Sequence, residues 1–255
     1  MDKNFFLNNG YNIIKIKKND AYFLRTKVIQ FIKEKTKLKK INLNNLHKHY
    51  PLNKLNELRI YVYDKINKDK KFNKKINEIF DKEISQLVGS ENVQSYISFS
   101  IQYPDDGTSL LTLHSDSTQS DSVFQANFWI PFVDVLRTKS MFIVKPSDSI
   151  EILNKMKNSK KITIQDVHIK YKKKMKWLKL NFGEAVAFTP NCLHGNVVNR
   201  EKTTRISINL RFKNLYSPYV KNVGNLKHIE NFYPSVNKKL ITTINLKYPF
   251  DDFTK

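Results

Sequence analysis

The chain has 255 residues, 40 % of them apolar and 12 % aromatic, enough to bury about 70–75 % of the surface its unfolded form would expose, so one sizeable domain needs no staples. No stretch approaches the roughly 20 uninterrupted apolar residues of a membrane span, the single cysteine Cys192 excludes an internal disulfide framework, and the start lacks a basic region followed by a long apolar one, so a cytoplasmic protein is expected. Of the 45 basic residues only six are arginines, and the formal charge of +22 reads as solvated lysine faces that steer anionic small molecules rather than as a dedicated nucleic-acid surface.

Residues 4–16 predict a turn at Gly10 feeding a short strand rich in β-branched residues. A helix follows to about Thr36, capped by Asn19 or Asp20, with Tyr22, Phe23, Val28, Ile29 and Ile32 at helical spacing. The polar stretch 38–51 predicts a loop, in which His47 and His49 have no third ligand in view and are read as solvated. Two more helices cover 53–66 and 69–88; Ile76, Ile79, Phe80, Ile84 and Leu87 form one stripe, and Gly89 stops the second.

From Val93 the apolar period changes to two, and strands are predicted over 94–103, 110–115, 123–132, 140–146, 161–167, 175–189 and 203–213, with a helix over 148–157. The lysine-rich stretch 157–176 reads as a surface insertion or hairpin. After Lys213 the aromatics Tyr216, Tyr219, Phe232, Tyr233, Tyr248 and Phe250 have no regular spacing, which predicts coil. The fold class is mainly β (α+β), a sandwich or barrel. One domain is expected over 1–255, with an N-terminal strand and helices in 1–92, a β core in 93–213 and an irregular tail in 214–255.

His114-Ser115-Asp116 ends an apolar run, where two side chains separated by one residue on extended backbone project from the same side and reach one ion. A third ligand must come from a distant strand that closes against the first. His194 has that placement, after a turn and a buried strand over 181–190. Two histidines and one carboxylate are the residue types that hold non-haem Fe(II) on one face and leave three positions open. The strand 203–213 alternates cleanly: Ile206, Ile208, Leu210 and Phe212 face one way, and Arg205, Ser207, Asn209 and Arg211 the other. On that polar face a guanidinium forks onto a carboxylate with two parallel hydrogen bonds, which makes Arg205 the anchor for an acidic cosubstrate and Ser207 a further contact. Arg211 lies farther along and is the weaker candidate. On 123–132 the apolar face is Phe124, Ala126, Phe128, Ile130 and Phe132, with Gln125, Asn127 and Trp129 opposite.

These motifs resemble the Fe(II)/2-oxoglutarate-dependent dioxygenases, and within them the phytanoyl-CoA hydroxylase-like branch that includes oxygenases of antibiotic-sugar and carbohydrate gene clusters. The likeness is carried by residues 6–14, His114-Ser115-Asp116, 127–131 with 140–147, 183–188 leading to His194-Gly195-Asn196, and Arg205-Ile206-Ser207. It implies a double-stranded β-helix (jelly roll, cupin-like) with flanking N-terminal helices, and Fe(II) held by the catalytic His114, Asp116 and His194. It further implies 2-oxoglutarate anchored by Arg205, with Ser207, Asn127 and Trp129 beside it, and O₂ as the oxidant. The implied reaction is hydroxylation of a small molecule such as a carbohydrate, nucleotide-sugar or acyl precursor, with desaturation or ring formation as neighbouring outcomes. Halogenation is excluded, because Asp116 fills the place that halogenating relatives leave for chloride. Two other readings share the fold: a catalytically silent cupin-like binding protein, and a nucleic-acid or peptidyl oxygenase supported only by the basic charge. The lysine-rich segment before Trp177 departs from the family pattern where substrate pockets are shaped.

Overall fold

Asp2 opens the first helix, its carboxylate accepting from Phe5 N at 2.9 Å. The computed structural model describes residues 1–119, 121–158, 164–217 and 235–237. Helix α1 (Lys3–Asn9) buries no residue and ends at Gly10, whose φ of 74° lies in the left-handed region. With no apolar stripe to announce it, this helix was not part of the sequence expectation; the turn and the strand after it, β1 (Tyr11–Lys15), were. A Cβ at Gly10 would run into Cys192 Sγ and the Pro146 ring. We expect Gly10→Ala to lower the unfolding free energy by more than the about 1–2 kcal/mol of a left-handed non-glycine residue, read from the denaturant midpoint.

Helix α2 (Lys18–Thr36) starts without a side-chain cap; Asp20 sits in its first turn, not at the N-cap. Its buried stripe is Ala21, Leu24, Val28, Phe31 and Ile32, and Tyr22, expected inside, is exposed. The stretch 38–51 contains a 3-10 turn, Leu43–Lys48, with Leu43 and Leu46 buried. His47 is therefore half-buried rather than solvated, with Nδ1 2.9 Å from Thr204 Oγ1. Helices α3 (Leu55–Lys68) and α4 (Lys70–Val88) follow. Asp69 caps α4 by accepting from Phe72 N at 3.0 Å, and Gly89 at φ 88° ends it.

Two antiparallel sheets lie beyond the helices. The larger runs in the order β1, β7 (Glu184–Phe188), β4 (Gln125–Pro131), β9 (Arg205–Asn214), β2 (Asn92–Gln94) and β10 (Ser235–Asn237), with β3 (Ser98–Gln102) also paired to β9. The smaller has β6 (Lys176–Trp177), β5 (Phe142–Ile143) and β8 (His194–Gly195). In β9 the alternation read from the sequence holds. Ile206, Ile208, Leu210 and Phe212 are fully buried in one core with Phe128, Ile130 and the apolar stripes of α2 to α4. Phe128 stacks at 5.2 Å on Phe80 of α4 and at 5.3 Å on Phe212; each such burial contributes about 1.5–3 kcal/mol. Phe124, expected on this face, precedes β4 and is half exposed.

Four expectations change in the second half. Residues 110–115 are not a strand: only His114 makes a bridge, opposite His194. Of the strand expected over 161–167, 161–163 lie outside the described residues, and Ile164 begins a helix, α6 (Ile164–Lys170). The lysine-rich segment is a helical cover: with α5 (Pro146–Asn158) it supplies Ile152, Val167, Tyr171 and Met175 to a second core containing Leu113, Phe142, Val144 and Leu193. Lysines on the outer side of that cover hid its inner apolar side. In the tail, β9 extends to Asn214 and β10 pairs with β2, so 214–255 is not wholly irregular. Tyr216 is exposed; Tyr219, Phe232, Tyr233, Tyr248 and Phe250 lie outside the described residues. Among the described residues no helix is long and apolar enough to cross a membrane.

Candidate metal centre

The segment 111–114 runs along 194–196. Leu111 N donates to Asn196 Oδ1 and Asn196 N to Leu111 O, both at 2.8 Å. His114 N donates to His194 O at 3.0 Å and His194 N to His114 O at 2.8 Å. Gly195 permits this approach, since a Cβ there would lie 2.9 Å from Leu111 O and 3.0 Å from the Phe142 ring. Two imidazoles distant in sequence thus face each other with ring centroids 4.3 Å apart.

Each imidazole is fixed by a backbone carbonyl. His114 Nδ1 donates to Thr112 O at 2.7 Å and His194 Nδ1 to Cys192 O at 2.9 Å. The proton is thereby held on Nδ1, and the Nε2 lone pair is presented as a ligand. Asp116 Oδ1 lies 3.4 Å from His114 Nε2 and 3.7 Å from His194 Nε2. The ligand atoms of His114, Asp116 and His194 all fall within 4.8 Å of one another, the one such set of three among the described residues. His47 and His49 form none.

Burial sets the charge states. It lowers the His194 imidazole to about 4, against the opposing pull of Asp116. For Asp116 burial pushes upward, but the His114 hydrogen bond and the positive charge of Arg211 outweigh it and hold the carboxyl well below its usual range. For His114 burial pulls down, and the hydrogen bonds to Asp116 and the Thr112 carbonyl more than reverse it, raising its pKa. At neutral pH the set offers a carboxylate and a fully buried neutral imidazole. Below the ordinary histidine value of 6.5 the unfolded chain takes up a proton at position 194 that the folded chain refuses until about pH 4. Stability is therefore lost as pH falls through that window, by about 3 kcal/mol at its lower end. His114 acts oppositely, its contribution present below 6.5 and lost as pH rises through its raised value. We therefore expect His194→Leu to flatten the metal-free acid slope of denaturant midpoints measured between pH 7 and pH 4.5.

The three groups open onto a cavity of about 260 Å³ lined by both sheets. Its far wall is the polar face of β9: Arg205, Ser207, Asn209 and Arg211, with Ser98 and Ser100 beside them on β3 in register with Asn209 and Ser207. Trp129 lines it from β4. Arg205 is 3 % exposed. Its Nε has no hydrogen-bond partner, and among the described residues no carboxylate lies within ion-pair distance of its guanidinium. Burial, reinforced by the charge of Arg59, pushes it down to about 10. Ser207 Oγ is likewise buried without a partner. A buried, unanswered cation beside an orphaned hydroxyl is a cradle for a carboxylate.

Two residues stand elsewhere than expected. Asn127 does not line the cavity: its Nδ2 donates to Asp116 Oδ2 at 2.7 Å, because Phe188 and Arg211 flank it in the sheet and the aspartate closes over it. Arg211, set aside as the lesser anchor, also holds Asp116 Oδ2, at 3.2 Å. Its parity with Arg205 was visible in the sequence; its reach to Asp116 was not. Ser98 and Ser100 carried no sequence signal beyond strand alternation.

No protein-family model and no curated protein matches the chain. Solved structures do. EctD from S. alaskensis with 2-oxoglutarate and 5-hydroxyectoine superposes with a TM-score of 0.62 at 12 % identity, covering 94 % of this chain and 86 % of that one. The fold is that of the non-haem iron, 2-oxoglutarate-dependent oxygenases. SnoK, a non-haem α-ketoglutarate-dependent carbocyclase from nogalamycin biosynthesis, is similar over 94 % of this chain and 93 % of its own, at TM-score 0.51 and 15 % identity. HygX from Streptomyces hygroscopicus, with nickel and 2-oxoglutarate bound, is similar over 93 % and 98 % respectively, at TM-score 0.53 and 8 % identity.

Proposed function

We propose that this chain is an Fe(II)- and 2-oxoglutarate-dependent dioxygenase that hydroxylates a small molecule in the cytoplasm, on a double-stranded β-helix formed by its two sheets. The observation that carries the reading is the pairing, in one cavity, of a two-histidine, one-carboxylate ligand set with a buried guanidinium that no carboxylate among the described residues neutralises. The donor set suits Fe(II): two imidazole nitrogens and one carboxylate leave half of an octahedron open. The fold neighbours that carry 2-oxoglutarate and nickel are consistent with it.

In this reading His114, Asp116 and His194 hold the iron, which when bound supplies O₂ activation coupled to oxidative decarboxylation of 2-oxoglutarate. Arg205 and Ser207 take the cosubstrate's distal carboxylate, which orients its keto-acid end toward the ligands. Trp129 and Phe188 close the cavity side against water, and the Thr112 and Cys192 carbonyls keep both imidazoles in the ligating tautomer. Asp116 supplies the third ligand, so no place is left for a halide; hydroxylation is the favoured outcome, with desaturation or ring formation as neighbouring ones. The substrate is a carbohydrate, nucleotide-sugar or acyl precursor, entering past the exposed Leu111. The deciding experiment loads purified protein anaerobically with Fe(II) and 2-oxoglutarate, admits O₂ with candidate sugars, and measures succinate. Stoichiometric iron with sugar-dependent succinate supports the reading; protein that takes up no iron and releases none is a silent barrel.

A further inference from the structure

Asp116 is one corner of a closed ring of side chains. Its Oδ2 accepts from Asn127 Nδ2 at 2.7 Å and from Arg211 Nη2 at 3.2 Å. Arg211 Nε in turn faces Asp121 Oδ2 at 2.8 Å. Asp121 Oδ2 accepts from Gln125 Nε2 at 3.2 Å, and the same amide reaches Asn127 Oδ1 at 3.1 Å, closing the circuit. Oδ1 of Asp116 is left facing the two imidazoles.

We propose that this ring is a positioning device that restricts Asp116 to one-oxygen ligation, with Arg211 and Asp121 as positioning residues. The proposal rests on the metal-dependent reading above. A carboxylate free to turn can offer both oxygens to a divalent cation. Here turning would break a charge-assisted hydrogen bond and an amide hydrogen bond in a site that is 2 % exposed. The ring therefore keeps open a coordination position that a two-oxygen aspartate would occupy, which leaves three for cosubstrate and O₂ together rather than two. Asp121 and Gln125 are not among the residues that line the cavity; their side chains hold the two groups that hold the Asp116 carboxylate, and Asp121 N also donates to Asp116 O at 3.2 Å. A second consequence concerns the substrate. Arg211 lines the cavity but its charge is spent on Asp116 and Asp121, so among the described lining residues only Arg205 offers an uncommitted cation. The cosubstrate takes that one, and the substrate presents a neutral edge to Ser98, Ser100 and Asn209.

The test uses Co(II) on full-length, metal-free protein, with Arg211→Met, Arg211→Lys and Asp121→Asn beside the wild type. Three quantities are read: Co(II) affinity, the intensity of the Co(II) visible absorption as a measure of coordination number, and 2-oxoglutarate affinity of the Co(II)-loaded protein. Metal-free melting temperature serves as the control for folding. Arg211→Met is expected to lose about 10- to 100-fold in Co(II) affinity, the usual worth of an outer contact to a metal ligand. It should also change the absorption intensity and weaken 2-oxoglutarate binding. Asp121→Asn should move all three in the same direction by less, and Arg211→Lys should recover part of the loss. Should Arg211→Met fail to fold, Asp121→Asn carries the decision alone. Wild type that binds Co(II) while the folded variants match it in affinity and absorption overturns the ring's role and leaves the metal site standing. Wild type that binds no Co(II) overturns both.

Discussion

His194→Ala is expected to abolish both metal uptake and 2-oxoglutarate turnover. In the proposed reading His194 is the one ligand that comes from β8, and without it His114 and Asp116 would leave an ion with two protein contacts on a short loop. The loss should exceed the about 100-fold that outer contacts to a ligand are worth, and succinate release should fall to background. Asp116→Ala should act likewise. It also takes from Arg211 the buried carboxylate that its Nη2 faces, so its folding deficit should be larger, whereas His194→Ala removes a group whose burial already disfavours its charge. His49→Ala is the matched control, since His49 is exposed and belongs to no ligand set among the described residues. Metal content after desalting and succinate release decide the matter: turnover retained by His194→Ala removes the enzyme proposed here.

Arg205→Met is expected to move function and stability in opposite directions. The guanidinium is buried, with no carboxylate within ion-pair distance among the described residues, and bears the added repulsion of Arg59. Replacing it by an apolar chain of similar length should raise metal-free stability by about 1–4 kcal/mol, as when buried charges are exchanged for well-packed apolar groups. The same change removes one half of a buried charge pair with the cosubstrate. Such truncations cost about 2–5 kcal/mol, which is roughly 30-fold or more in 2-oxoglutarate affinity. Calorimetric binding to Co(II)-loaded protein and metal-free melting curves read the two effects separately. In wild type 2-oxoglutarate should raise the melting temperature by mass action, and in Arg205→Met it should not. A variant that loses stability while keeping its 2-oxoglutarate affinity would make Arg205 a structural cation.

The parts of this molecule that follow from local periodicity were readable in advance. Strict alternation in β9 placed Arg205, Ser207, Asn209 and Arg211 on one face, and all four line the cavity. The helical stripe of 69–88, its stop at Gly89 and the turn at Gly10 rest on equally local rules. The failures share a cause. Residues 110–115 look like a strand because their composition is right, yet pairing is decided by what lies alongside, and only His114 finds a partner. The 157–176 segment looks like a solvated insertion because its lysines outnumber the few apolar positions that pack inward. The link from Asp121 to Asp116 through Arg211 joins a loop to a strand some ninety positions away, a distance no sequence period spans. The three candidate ligands were legible as residue types, whereas the groups that hold them in place, Asn127 above all, needed the tertiary structure.

Leu113 and Leu193 each immediately precede a ligand histidine, and both are buried in the small core closed by α5 and α6. Along extended backbone neighbouring side chains point to opposite faces, so the imidazoles turn inward because the leucines are gripped from outside. The cover thus works as a clasp behind the two imidazoles. Loosening it at Ile152 or Val167, both fully buried in that small core, would widen the gap between the imidazoles without touching the cavity, so in the proposed reading the grip on a metal is set in part by a core that the cavity does not reach.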